Sequence, residues 1–149
     1  MSRIVIRGGT VLDQTGSRRA DVAVSEGRVS EVGASLDGDD YLDASDCIVA
    51  PGFVDLHVHL REPGREEAET IETGSRAAAL GGFTAIVAMP NTEPAQDTLS
   101  VIEFVRAQAV RAGLCDVHPA GCITVNREGT SLAPFGELAA AGVHLFTDD

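Results

Sequence analysis

The run Pro51-Gly52-Phe53-Val54-Asp55-Leu56-His57-Val58-His59-Leu60-Arg61-Glu62-Pro63-Gly64 carries two histidines one residue apart on an apolar segment and then breaks at Pro63-Gly64. Side chains alternate along a strand, so Asp55, His57, His59 and Arg61 are expected on one face, with the imidazoles close enough to share a metal. Neutral imidazole suits zinc. Beyond Gly64, helical periodicity alternates with apolar, strand-like runs. Helices are predicted over 71–80, 99–112 and 134–141, and strands over 84–89, 116–124 and 143–147. Gly81-Gly82 suits the stop of the first helix and Pro134 the first turn of the last.

Strands and helices in alternation, with short connections, predict an α/β fold whose parallel sheet is covered by helices. A doubly wound sheet and a (β/α)8 barrel both satisfy that pattern. Residues 51–149 would supply the first half of a (β/α)8 TIM-type barrel, which takes about 250 residues when complete. Active sites of such barrels gather at the C-terminal ends of the strands, where His57 and His59 fall.

Upstream of Pro51 the pattern differs. Short alternating runs at 4–6, 10–12, 21–24, 28–32 and 47–50 read as β-strands. Gly8-Gly9, Glu26-Gly27 and Asp37-Gly38-Asp39-Asp40 read as turns between them, Glu26-Gly27 as a hairpin tip. The division expected is therefore a small β-rich domain over residues 1–50 preceding the α/β segment 51–149.

Composition bounds the function. With 44% hydrophobic and 23% charged residues the chain reads as globular rather than disordered. Its longest apolar stretches, 48–54 and 84–90, fall far short of the roughly 18 residues a membrane span needs. The start, Met1-Ser2-Arg3-Ile4-Val5-Ile6-Arg7, lacks the apolar core of a signal peptide, so a cytoplasmic location is expected. Cys47, Cys115 and Cys122 have no metal-type pair spacing and read as buried small hydrophobes. A formal charge of −12, without a basic cluster, argues against a nucleic-acid partner.

The run 51–64, together with Gly81-Gly82-Phe83-Thr84 and Met89-Pro90-Asn91-Thr92, resembles the amidohydrolase superfamily. His59-Leu60-Arg61-Glu62-Pro63-Gly64 and Met89-Pro90-Asn91-Thr92 are more particular to its dihydroorotases, and the resemblance covers the whole chain. It implies that His57 and His59 bind a first zinc and that Asp149 bridges it to a second, one or two ions in all. It further implies that Arg61 and Asn91, beside His59, hold the substrate's carboxylate. Asp148 and Asp149 compete for the bridging role, since alternation puts them on opposite faces without saying which faces inward, and the preference for Asp149 rests on the resemblance. Asp55 either orients a ligand or is a polar residue satisfied by backbone. His118 and His144 stand outside the family's ligand pattern and read as structural.

The reaction so implied is the reversible opening of L-dihydroorotate to N-carbamoyl-L-aspartate in pyrimidine biosynthesis, by water activated at the metals. The remaining ligands and the proton-shuttling aspartate would come from the rest of the barrel, so the chain alone is expected to be inactive. The small β-domain would likewise be completed by C-terminal strands. Two alternatives stand beside this reading. One is a hydantoinase or allantoinase, whose metals a carbamylated lysine generally bridges, whereas all eleven basic residues here are arginines. The other is a catalytically silent partner of aspartate transcarbamoylase, although such chains tend to lose the histidines kept here. Partners expected are a small-molecule substrate, the remainder of the barrel, and further copies of the chain or aspartate transcarbamoylase.

Overall fold

Glu26 and Gly27 both adopt positive φ, 52° and 71°, and join two strands through a two-residue turn. That geometry matches the right-handed twist of an antiparallel pair, so the turn forms where the sequence put it. The computed structural model describes residues 2–149 and divides into two compact units, Met1–Pro51 and Gly52–Asp149.

In the first unit, β1 (Ile4–Asp13), β2 (Gly16–Ser25), β3 (Arg28–Gly33), β4 (Asp40–Asp43) and β5 (Ile48–Val49) form one sheet. The order is β3-β2-β1-β4, with β5 also on β1. The first three strands are antiparallel, whereas β4 and β5 run parallel to β1. Val5, Ala23 and Leu36 form its buried cluster.

Three expectations fail. Gly8-Gly9 is a bulge inside a continuous β1: the register against β2 shifts between Ile6 and Gly9, and Gly8 takes φ 74°. Its N–H donates to Asp21 Oδ1 on β2 (3.0 Å), so the chain kinks without reversing. The acidic turn at 37–40 ends earlier than expected, because Asp40 already begins β4. Its apolar pair, Tyr41-Leu42, is too short to stand out between aspartates, and both side chains stay exposed. Cys47 is exposed rather than buried, Cys115 half-buried and Cys122 buried, where loss of solvent pushes its thiol up to about 12.

In the second unit, β6 (Phe53–Val58), β7 (Phe83–Ala88) and β8 (Asp116–Pro119) form a parallel sheet in the order β6-β7-β8. It alternates with α1 (Ile71–Leu80), α2 (Leu99–Ala112) and the short α3 (Phe135–Ala140). Thr70 caps α1, accepting from Thr73 N, and Glu62 Oε2 takes the Ile71 N–H at 2.7 Å. The helix stops at Gly81, and α2 ends on the left-handed Gly113 (φ 62°).

Ile71 from α1, Val105 and Ala109 from α2, Ile86 and Ala88 from β7, Val117 from β8, and Leu60 build one buried cluster. Each large member contributes about 1.5–3 kcal/mol relative to exposure. The opposite sheet face leaves Val54 and Leu56 open at 56% and 63%. With Ala85 and Val87 they line a concavity of about 460 Å³.

Two predicted strands shrink. The one expected over 116–124 leaves the ladder after Pro119, and Cys122 N donates to Gln96 O instead. The one expected over 143–147 reduces to a parallel bridge between Gly121 and Phe146, carried by Gly121 N to Leu145 O (2.9 Å) and Thr147 N to Gly121 O (3.0 Å). The fold is mixed α/β, and the described residues form no closed barrel. No helix among them is long and apolar enough to cross a membrane.

Candidate metal centre

β6 carries one residue more than β7 near its end. Asp55 stands opposite Ile86 and Val58 opposite Ala88, so Leu56 and His57 together face the single residue Val87. Ile86 and Ala88 both belong to the cluster packed under the helices, and Val58 packs against it too. The bulge therefore reverses the phase of the strand. His57 and His59 flank Val58 and share the other side, while Asp55 falls out of step with them. This corrects the expectation of a common face for Asp55. Its carboxylate accepts from the backbone N–H of His57 (3.0 Å), within the bulge.

The two imidazoles stand 5.1 Å apart, centroid to centroid, nearly edge to face at 73°. Asp149 closes the group: its Oδ1 lies 3.4 Å from His57 Nε2 and 3.9 Å from His59 Nε2. One ligand atom from each of the three residues falls within 4.8 Å of the others, the only such group among the described residues. Neither His118 nor His144 joins it; both are exposed.

Asn91, three residues beyond the end of β7 at Ala88, places Oδ1 3.0 Å from His59 Nδ1. A carbonyl oxygen can only accept, so the tautomer that suits this contact carries its proton on Nδ1 and would leave the Nε2 lone pair to a metal beside Asp149. The Asn91 turn is itself held: buried Gln96 donates from Nε2 to Met89 O (2.8 Å) and from its backbone N–H to Pro90 O (3.2 Å).

The aspartate pair separates cleanly. Asp148 Oδ1 accepts from the backbone N–H groups of Ile123 (2.9 Å) and Thr124 (3.0 Å), and Oδ2 from the Thr124 hydroxyl (2.7 Å). These bonds, led by the Thr124 N–H, hold its carboxyl below the usual carboxylate range. Asp148 is thus committed to the fold, and Asp149 faces the histidines.

Arg61 is half-buried, adopts a left-handed backbone (φ 60°), and enters no ion pair among the described residues. One residue was not singled out by the sequence. Arg127, in the irregular segment after β8, brings Nη1 to 4.0 Å from Asp149 Oδ2. Neither periodicity nor a motif marks it, because a loop positions it.

Two imidazole nitrogens and a carboxylate oxygen converging on one point are a donor set that zinc accepts, so the residues present fit a divalent metal. The sequence pattern described as "Dihydro-orotase-like" matches residues 46–149, which include every residue of this centre. The chain belongs to this dihydro-orotase-like family.

Curated relatives of this dihydro-orotase-like chain include "Dihydroorotase" of Solibacter usitatus, 48% identical over 150 residues, covering 98% of this chain and 35% of the relative. "Dihydroorotase" of Mycobacterium tuberculosis is 47% identical over 151 residues, with coverage of 98% and 35%. Among solved structures, "L-Hydantoinase (Dihydropyrimidinase) from Arthrobacter aurescens" superposes with a TM-score of 0.81 at 26% identity, over 98% of this chain and 32% of that one. The D-hydantoinase from Thermus sp. gives 0.67 at 26% identity, over 93% and 30%. The chain spans about a third of the length of the relatives it matches.

Proposed function

We propose that this chain is the N-terminal part of a zinc-dependent dihydroorotase, which interconverts L-dihydroorotate and N-carbamoyl-L-aspartate. The observation that carries the reading is the convergence of His57 Nε2, His59 Nε2 and Asp149 Oδ1. These three residues would hold the metal. A divalent ion bound there supplies a Lewis acid that polarises a ring carbonyl and makes water a stronger acid.

The chain's own residues bind and orient. Asn91 fixes the His59 tautomer through its carbonyl and keeps its NH2 free to donate. The Arg61 guanidinium offers a planar fork matched to a carboxylate. Arg61 and Asn91 together would orient the substrate's carboxylate so that a ring amide carbonyl meets the metal site. Residues 51–149 would form the first half of the barrel and residues 1–50 part of the composite β-domain. Further ligands and the proton-shuttling group would come from the remainder.

A hydantoinase or dihydropyrimidinase is the second reading, favoured by the 0.81 TM-score of the Arthrobacter structure. The identities of 42–48% to dihydroorotases, and an aspartate rather than a lysine facing His57 and His59, weigh against it.

The test is made on the complete protein. Metal content by elemental analysis and opening of dihydroorotate and hydantoin are measured for wild type, His57→Ala and His59→Ala. Zinc in the wild type, its loss in both variants and preference for dihydroorotate support the proposal. A wild type without metal, or one that opens only hydantoin, rejects it.

A further inference from the structure

Arg127 stands in an unusual stretch of backbone. It and Asn126 both adopt left-handed conformations (φ 62° and 52°), which a side chain as bulky as arginine rarely takes without a compensating hold. The hold is visible. Asn126 N donates to Oδ2 of the buried Asp97 (2.8 Å). On the other side, Asp148 grips Ile123 and Thr124 by three hydrogen bonds, Gly129 N donates to the Thr124 hydroxyl (2.9 Å), and Val125 N donates to Ser131 O (2.9 Å). Asp148 therefore anchors the loop that returns Arg127 to Asp148's own neighbour in sequence, Asp149.

The carboxylate of Asp149 is divided between two partners. Oδ1 faces the Nε2 atoms of His57 and His59, and Oδ2 faces the Arg127 guanidinium at 4.0 Å. We propose that Arg127 is a positioning residue that holds Asp149 by its outer oxygen, so that Oδ1 stays turned toward the two histidines. The inference rests on the metal-site reading above with a single ion at the two histidines, since a second ion bridged by Asp149 would claim Oδ2, and it adds a residue to that reading. Arg127 acts through Asp149 and touches no reacting atom. Its cation also repels a metal, but it sits on the far oxygen of a carboxylate that screens it, so orientation outweighs repulsion. Partners of metal-ligating groups commonly matter by about 10–100-fold in metal affinity.

Zinc affinity of the complete protein, measured by competition with a chromogenic chelator, tests this in the wild type, Arg127→Gln and Arg127→Lys. Thermal unfolding of the zinc-free forms is followed alongside. The expected result is a loss of about 10–100-fold in Arg127→Gln, recovery of most of it in Arg127→Lys, and an unchanged zinc-free midpoint in both. An affinity in Arg127→Gln that matches or exceeds the wild type's overturns the role. Equal losses in both variants, or a loss that tracks a lowered zinc-free midpoint, make the residue merely structural and overturn it too. A wild type that binds no zinc sinks the metal-site reading itself, whereas a zinc-binding wild type with an indifferent Arg127→Gln sinks only this inference.

Discussion

His59 presents its two ring nitrogens to different partners, Nδ1 to Asn91 and Nε2 toward Asp149. The Asn91 carbonyl oxygen lies 3.0 Å from Nδ1, placed to accept a proton there, and the NH2 is left to donate elsewhere. Two substitutions separate these roles. Asn91→Ala removes the acceptor, lets the ring change tautomer, and is expected to weaken zinc by about 10–100-fold. Asn91→Asp keeps an acceptor for Nδ1–H, so zinc is retained, but it deletes the donors and sets a negative charge near the expected site of the substrate's carboxylate. A raised KM with normal zinc content is the result expected there. Chelator titration with steady-state kinetics on the complete protein checks both, and zinc lost equally in the two variants would refute the division. At this scale much was legible. Spacing alone brought His57 and His59 together, and the family resemblance named Asn91 and Asp149. The anchoring by Asp148 and the place of Arg127 were not legible, because a loop of paired aspartates and left-handed residues fixes them and neither has a periodic signature.

Bulges decide what the elements do. Simple alternation put Asp55 on the face of the histidines, yet the extra residue in β6 moves it off that face. The same kind of irregularity in β1 hid behind a Gly8-Gly9 pair that reads as a turn, since glycine serves both purposes. Alternation predicts strands well while the ladder is regular and fails where one residue is added. The β1 bulge predicts a pH dependence. Asp21 takes the Gly8 and Leu36 N–H groups, and the Gly8 bond above all lowers its pKa in the folded chain. A group lowered on folding adds stability above its unfolded value, about pH 4, and loses it as pH falls through the folded value. Asp21→Asn is thus expected to flatten the fall of the thermal midpoint below about pH 4, and an unchanged acid limb would show the bonds to be idle. The loops after β6 and β7 meet backbone to backbone. Glu93 N donates to Pro63 O (3.0 Å), and a Cβ on Gly64 (φ 106°) would lie 2.2 Å from Glu93 O. Gly64→Ala must part the loops that carry Arg61 and Asn91. A stability loss on the order of 2–3 kcal/mol, with weakened zinc, is expected from denaturant unfolding and chelator titration; a loss under about 0.5 kcal/mol would mean the loops yield freely.

At the scale of the whole molecule, the sheet of the second unit has one covered face and one open one. Its helix-covered face packs into a single buried cluster, but Val54 and Leu56 on the other face stay more than half exposed. Its outer strands, β6 and β8, each pair on one side only among the described residues, apart from the single Gly121–Phe146 bridge. Apolar faces and open strand edges of this kind favour association with any matching surface. In a half-barrel the matching surface is the other half, whose inward-facing strands would cover Val54, Leu56, Ala85 and Val87. Two outcomes follow for residues 1–149 made alone. In sedimentation velocity the chain should run as oligomers or aggregate at micromolar concentration, and it should not open dihydroorotate even with added zinc. Adding the remainder of the barrel as a separate polypeptide should shift the chain into a defined complex and restore ring opening. Leu56→Glu should block that rescue, because it places a charge on the face to be covered. A soluble, cooperatively unfolding monomer with turnover of its own would show that the exposed face needs no cover, and with it the half-barrel proposal would fall.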